Sequence, residues 1–139
     1  MEKEKAMDEG LALVTRSPVA MLGTNGDNGH PNIRAMIKVK SEMLETIWFS
    51  TNTSSRKMEH IGRDPRACVY FVDFERWMGL MLVGTVEILQ DAKSKHWLWQ
   101  KGWERYYPRG VDDPDYSVLR FRTRWGRFYH GLSHMNFEL

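Results

Sequence analysis

The stretch Ile47 to Ile61, IWFSTNTSSRKMEHI, changes character halfway along, and the rest of the chain is read outward from that change. Ile47, Trp48 and Phe49 are β-branched or aromatic and predict the end of a strand. Thr51, Asn52, Thr53, Ser54 and Ser55 are small hydroxyl or amide residues suited to a turn, and Arg56 and Lys57 add two positive charges. From Ser55 the spacing of Met58 and Ile61 predicts a helix, with Thr53, Ser54 or Ser55 as its N-cap. A strand, a hydroxyl-rich turn, two cations and a helix start are the parts of a phosphate site. Helix-terminal N–H groups, short hydroxyl donors, an arginine fork and a lysine point charge all favour an anion. An ordinary capped helix with a solvated basic turn uses the same residues, and this stretch alone leaves the two readings even. It is not a P-loop, because the turn holds no glycine and Lys57 is not followed by Ser or Thr.

Upstream, Glu2 to Arg16 predicts an amphipathic helix through Met7, Leu11 and Val14, closed by Ser17-Pro18. Val19 to Thr24 is a short strand, and Asn25 to Gly29 is the turn of a hairpin. The returning strand, Pro31 to Lys40, alternates cleanly. Ile33, Ala35, Ile37 and Val39 are its expected core face, while Arg34, Met36, Lys38 and Lys40 form the expected solvent face. Arg34 and Lys38 lie two strand steps apart there, a spacing that also suits an extended anion.

Downstream, Asp64-Pro65 ends the helix, and Ala67 to Val72 and Gly79 to Leu89 are the next strands, with Gly84 at a bend or close approach. Asp91 to Trp103 reads as a helix in which Trp99 and Trp103, four apart, share a face; Trp97, Tyr106 and Tyr107 lie close by. Such a face packs on the sheet or a second subunit, or forms a wall over a flat ligand. After the loop PRGVDDPD, Ser117 to Trp125 is a strand whose Arg120, Arg122 and Arg124 are expected in solvent or paired with Asp112, Asp113 and Asp115. Phe128 to His130 is the last expected strand. Short strands joined by hairpins, with few helices between them, favour a mainly β antiparallel barrel over a doubly wound sheet.

The 139 residues form one expected domain, 1–139, with no linker or repeat. A net charge of only +2 gives little pull on a nucleic-acid backbone, so no nucleic-acid partner is expected. Cys68 is alone and has no internal disulfide partner. The N-terminus alternates charges unlike a signal peptide, and no apolar run approaches the ~20 residues that span a bilayer, so a cytoplasmic protein without a membrane role is expected. His30, His60, His96, His130 and His134 are scattered, read as lone surface residues, and no metal is expected. Six tryptophans and nine methionines suit planar ligands and subunit interfaces alike.

Two segments together carry a resemblance. WFSTNTSSRK, followed by a helix, Asp64-Pro65-Arg66-Ala67 and an apolar strand, resembles the FMN-binding segment of the pyridoxamine 5'-phosphate oxidase-like split-barrel flavoproteins. Arg34-Ala35-Met36-Ile37-Lys38 resembles their other cofactor-binding strand, and GLMLVGTVEIL with YYPRGVDDPDYSVLRF is similar to the general stress protein subgroup. The resemblance implies an antiparallel, Greek-key-like split barrel of six to seven strands, and a homodimer with FMN at the subunit interface. It implies that Ser55, Arg56 and Lys57 hold the FMN phosphate and that Arg34 reaches the phosphate or ribityl chain. Met36 and Ile37, next to Ala35, would follow the isoalloxazine edge through their backbone, with Lys38 near the pyrimidine side. Ser50 and Thr51 would bond the flavin or its chain, Phe49 would lie near the ring, and Trp97 or Trp103 would approach a cofactor held mainly by the other chain.

The activity implied is that of an FMN-dependent oxidoreductase exchanging hydride or electrons with a small-molecule redox partner. Other members implied by the resemblance are non-catalytic FMN-binding or sensing proteins, and binders of haem or deazaflavin. Pyridoxamine phosphate oxidases carry a C-terminal Arg-x-His segment, whereas Arg127 and His130 here have a different spacing. That particular oxidation is not implied.

Overall fold

Most strands bury every second residue, and the buried sets meet inside one barrel. In the computed structural model, which describes residues 1–139, the order is α1 (Lys3–Arg16), β1 (Val19–Asn25), β2 (Pro31–Glu42), β3 (Thr46–Asn52), α2 (Lys57–Arg63), β4 (Arg66–Asp73), β5 (Met78–Leu89), α3 (Ala92–Leu98), β6 (Tyr116–His130) and β7 (Ser133–Glu138). Single 3-10 turns at Trp103–Arg105 and Gly110–Asp112 lie between α3 and β6. The sheet order is β3-β2-β1-β4-β5-β6-β7, all antiparallel, and β6 also pairs with β3 from Thr46↔Arg122 to Asn52↔Tyr116. Six strands therefore close on themselves, and β7 adds to the outside of β6.

Leu22, Ile47, Phe49, Phe71, Leu80, Phe121 and Phe128 are wholly buried within the barrel, and α1 packs Ala6, Leu13 and Val14 against it. Burying each large apolar side chain favours folding by about 1.5–3 kcal/mol. A register shift between Val83 and Gly84 bends β5, and a Cβ at Gly84 would overlap the backbone carbonyl of Arg122, so this closure requires glycine. No helix is long and apolar enough to cross a membrane.

The mainly β antiparallel barrel is as expected, but five local readings change. The largest concerns β2. Leu22 and Ala20 of β1 face the interior opposite Arg34 and Met36, so that set points inward; Met36 is 7% exposed, against 65% for Ile33 and 63% for Ile37. Alternation showed two faces without saying which was inside. The inward cations keep their heads at polar positions while their stems lie along apolar surface.

Secondly, α2 begins only at Lys57, and Arg56 precedes it without a side-chain cap. Thr53 and Ser54 are engaged elsewhere: Thr53 Oγ1 lies 2.7 Å from Ser117 Oγ, and the Ser54 N–H donates to Asp115 Oδ1 (2.8 Å). Thirdly, the helix expected over Asp91 to Trp103 stops at Leu98, and Gly102, at φ 94°, turns the chain before the 3-10 turn. Trp99 and Trp103 meet edge to face at 5.6 Å without sharing a helix.

Fourthly, β6 runs unbroken through Gly126, and β7, SHMNFE, has too little apolar alternation to read as a strand; its pairing with β6 makes it one. Lastly, Arg122 and Arg124 are exposed as expected, but the ion pairs that Arg120 and Arg122 form are with Glu87 and not the loop aspartates, because register places Arg120 opposite Glu87.

Candidate functional site: the corner between β3 and α2

Antiparallel pairing of β2 and β3 sets Ala35, Met36 and Ile37 beside Ser50, Thr51 and Asn52. Lys57 at the start of α2 closes one side of the hollow between them. Trp103, Tyr106 and Tyr107, from the segment after α3, close another, and the space holds about 220 Å³. This aromatic segment stands on a small cluster outside the barrel, in which Tyr107 lies 4.8 Å from Tyr116 and Trp103 lies 5.9 Å from it.

The turn keeps its shape through one distant residue. The Asp115 carboxylate accepts from Asn52 Nδ2 (2.7 Å) and from the Ser54 N–H (2.8 Å), and its backbone carbonyl accepts from the Thr53 N–H (2.7 Å). The Asn52 amide, followed by the Ser54 bonds, holds the Asp115 carboxyl below the usual carboxylate range. Thr51 borders the hollow, and the Ser55 hydroxyl lies behind it, 3.4 Å from Thr51 Oγ1.

Two cations without a counter-ion lie near each other: Lys57 borders the hollow, and Arg34, which does not border it, is close enough for its charge to act on Lys57. Lys57 Nζ donates to Ser55 Oγ (3.1 Å), and Arg34 donates to Thr24 Oγ1 (2.8 Å) and the Leu22 carbonyl (3.2 Å). No carboxylate forms an ion pair with either. Burial lowers the Lys57 pKa, and the positive charge of Arg34 lowers it further; burial alone lowers that of Arg34. Like charges held together in a half-buried corner are unfavourable until an anion offsets them.

The other expected site residues are dispersed. Phe49 is wholly buried in the barrel interior, and Arg56 is exposed beside α2 with no ion pair. Lys38 Nζ donates to the carbonyls of Val14 (2.5 Å) and Thr15 (3.4 Å), closing the C-terminal end of α1 instead of bordering the hollow. Trp97 meets Trp48 edge to face at 5.0 Å, and Lys40 lies 4.4 Å over its ring, in a separate depression with Arg120. Arg127 donates to Asn136 Oδ1 (2.6 Å), and His130 lies 3.9 Å from Glu9, both away from the hollow.

Asn52, Tyr106 and Tyr107 border the hollow and were not among the expected site residues. The adjacent tyrosines after the tryptophan cluster were the available signal. Burial raises the Tyr107 pKa, and Ser50 bonds its hydroxyl. The corner can thus grip an anionic group at Arg34, Lys57 and Ser55 while strand backbone and aromatic rings flank a flat one.

A closed six-stranded antiparallel barrel with an added strand and flanking helices defines the split-barrel class. The chain belongs to the pyridoxamine 5'-phosphate oxidase family, whose profile matches residues 6–130. It is similar to a solved Clostridium acetobutylicum protein described as related to general stress protein 26 of Bacillus subtilis, with 48% identity, 99% of this chain and 97% of that one covered, and a TM-score of 0.91. Two more distant structures share the fold. One is a heme-binding protein from Mycobacterium smegmatis (16% identity, 99% of this chain, 60% of that one, TM-score 0.79). The other is a pyridoxamine 5'-phosphate oxidase-related, FMN-binding protein from Nostoc punctiforme (16% identity, 98% and 89% covered, TM-score 0.67). No curated protein matches the chain.

Proposed function

We propose that this protein binds FMN at the corner between β3 and α2 and works as an FMN-dependent oxidoreductase in the cytoplasm, with a small-molecule redox partner. The observation that carries this reading is a pair of cations with no carboxylate to offset them: Lys57 beside the Ser55 and Thr51 hydroxyls, and Arg34 on β2 close enough for its charge to act on Lys57. A phosphate dianion fits that donor set, which contains one planar fork, one ammonium and two hydroxyls. Exposed Arg56 would add long-range attraction. The backbone of Ala35 to Ile37, the Ser50 hydroxyl and the rings of Trp103, Tyr106 and Tyr107 would orient the flat part of the ligand and limit water around it. When bound, FMN supplies hydride and single-electron chemistry; the chain supplies anchorage, orientation and positive charge.

The protein works as a homodimer in this reading. Ile33, Ile37 and Val19 form an exposed apolar strip on the outside of β1 and β2, joined across the register by Val19↔Ile37. The strip continues through Met21 and Tyr70 towards exposed Phe74 and Trp77. A second copy covering this strip would complete the wall beside Ala35 and Ile37.

The visible spectrum of the purified protein is the direct test. Flavin bands, or micromolar affinity for added FMN, support the reading; a Soret band with no FMN affinity overturns it in favour of haem. Anaerobic mixing of the FMN-loaded protein with NADH or NADPH tests the oxidoreductase step. Bleaching of the flavin band supports it, and no bleaching with either donor, while dithionite still reduces the bound flavin, leaves a binding or sensing protein.

A further inference from the structure

His60 is not a surface residue. It lies on the inner side of α2 at 4% exposure, and its Nδ1 stands 3.3 Å from Thr24 Oγ1, itself 2% exposed. Thr24 Oγ1 in turn accepts from Arg34 Nη1 at 2.8 Å. We propose that His60 is a positioning residue that aims Arg34 at the anion through the Thr24 hydroxyl, an inference that rests on the phosphate reading of the corner.

Donor counting sets the direction of the relay. A guanidinium only donates, so Thr24 Oγ1 accepts from Arg34 and has one proton left to give. Its other partner is His60 Nδ1, which therefore accepts. The proton of the neutral ring then sits on Nε2, the nitrogen 3.9 Å from Asp27 Oδ1. With the proton on Nδ1 instead, Thr24 Oγ1 would face two donors and its own proton would lack an acceptor, a costly arrangement in a buried site. The hydroxyl rotor is thus held from both sides, and each bond polarises the next.

Lys57 and His60 are three residues apart on α2, so the helix that delivers one cation also steers the other. Arg63 on the same helix bonds Asp27, fixing the far end of the relay.

The test has two parts. In protein labelled with nitrogen-15 at histidine, His60 shows an unprotonated Nδ1 and a protonated Nε2; a protonated Nδ1 in the neutral ring overturns the proposal. Affinities are then measured for FMN and for riboflavin, which lacks the phosphate. His60→Leu and Thr24→Val each weaken FMN by about tenfold and riboflavin by less than about twofold, the loss expected for one misdirected charge-assisted bond. His60→Asn, whose amide oxygen replaces Nδ1 as acceptor, recovers most of the FMN affinity.

Arg34→Ala is the reference. If it lowers the FMN-to-riboflavin ratio while His60→Leu leaves the ratio unchanged, or if His60→Asn is as impaired as His60→Leu, the positioning role is wrong and the phosphate reading stands. If Arg34→Ala also leaves the ratio unchanged, the phosphate reading falls, and the positioning role falls with it.

Discussion

Two hollows on the outside of the barrel differ in size and in chemistry. The one between the β4–β5 and β6–β7 turns holds about 540 Å³ and is bordered by Met21, Tyr70, Val72, Phe74 and Trp77, with Phe74 and Trp77 exposed at 74% and 65%. The one at the corner of β3 and α2 holds about 220 Å³ and is bordered by Lys57, Ser50, Thr51 and Asn52 as well as aromatic rings. Volume alone would favour the first. Yet its lining is suited to covering by another apolar surface, whereas the second sets unopposed positive charge against hydroxyl donors. The charge imbalance, more than the empty space, marks where a small anionic ligand belongs.

Removing both charges is the most severe way to break this contrast. Arg34→Ala combined with Lys57→Ala is expected to weaken FMN binding by at least about a hundredfold, since each charged hydrogen bond contributes about 1.5–3 kcal/mol. Fluorescence titration measures it, and unchanged affinity would move the ligand elsewhere. Ile37→Glu puts a charge in the apolar strip and is expected to weaken self-association about tenfold or more, with the melting temperature of the single chain little changed. Analytical ultracentrifugation separates a dimer lost in this way from a protein that was never one.

A third outcome sharpens the contrast through pH. Burial and the charge of Arg34 lower the Lys57 pKa, so Lys57 loses its proton before an ordinary lysine does. FMN affinity is therefore expected to fall as pH rises through the window just below the usual lysine range, and Lys57→Arg should abolish that fall. Folding of the empty protein runs the other way: in that window the unfolded chain holds the lysine proton longer than the folded one. The Lys57 contribution to stability therefore rises with pH there.

The smallest effects compare two tryptophans. Trp103→Ala, at the hollow, is expected to weaken flavin binding about fivefold, the scale of one aromatic contact. Trp97→Ala should change it less than about twofold and cost about 1 kcal/mol of stability through its lost contacts with Trp48 and Lys40, read by thermal melting.

The barrel was readable because strand periodicity and hairpin turns are local signals. The orientation of β2 was not: its two faces are both well formed, and the isoleucines turn outward while Met36 turns in. The turn from Ser50 to Lys57 announced its chemistry through residue type, and the structure brings Ser50, Thr51, Ser55 and Lys57 together. Lys38 followed the same alternation as Arg34 but reaches the end of α1, a contact between segments that strand spacing does not encode. His60 looked like one of several scattered histidines because only the packing of α2 on β1 shows it to be buried.

The latch at Asp115 has a consequence for how the molecule is made. The turn that precedes Lys57 takes its shape from bonds to a residue some sixty positions later, and β3 is completed only when β6 pairs with it. As a ribosome delivers the chain, the first half emerges with the turn before Lys57 not yet tied down. Ligand capture must therefore wait until the distal strand arrives, so nascent chains ending before Asp115 should retain no flavin.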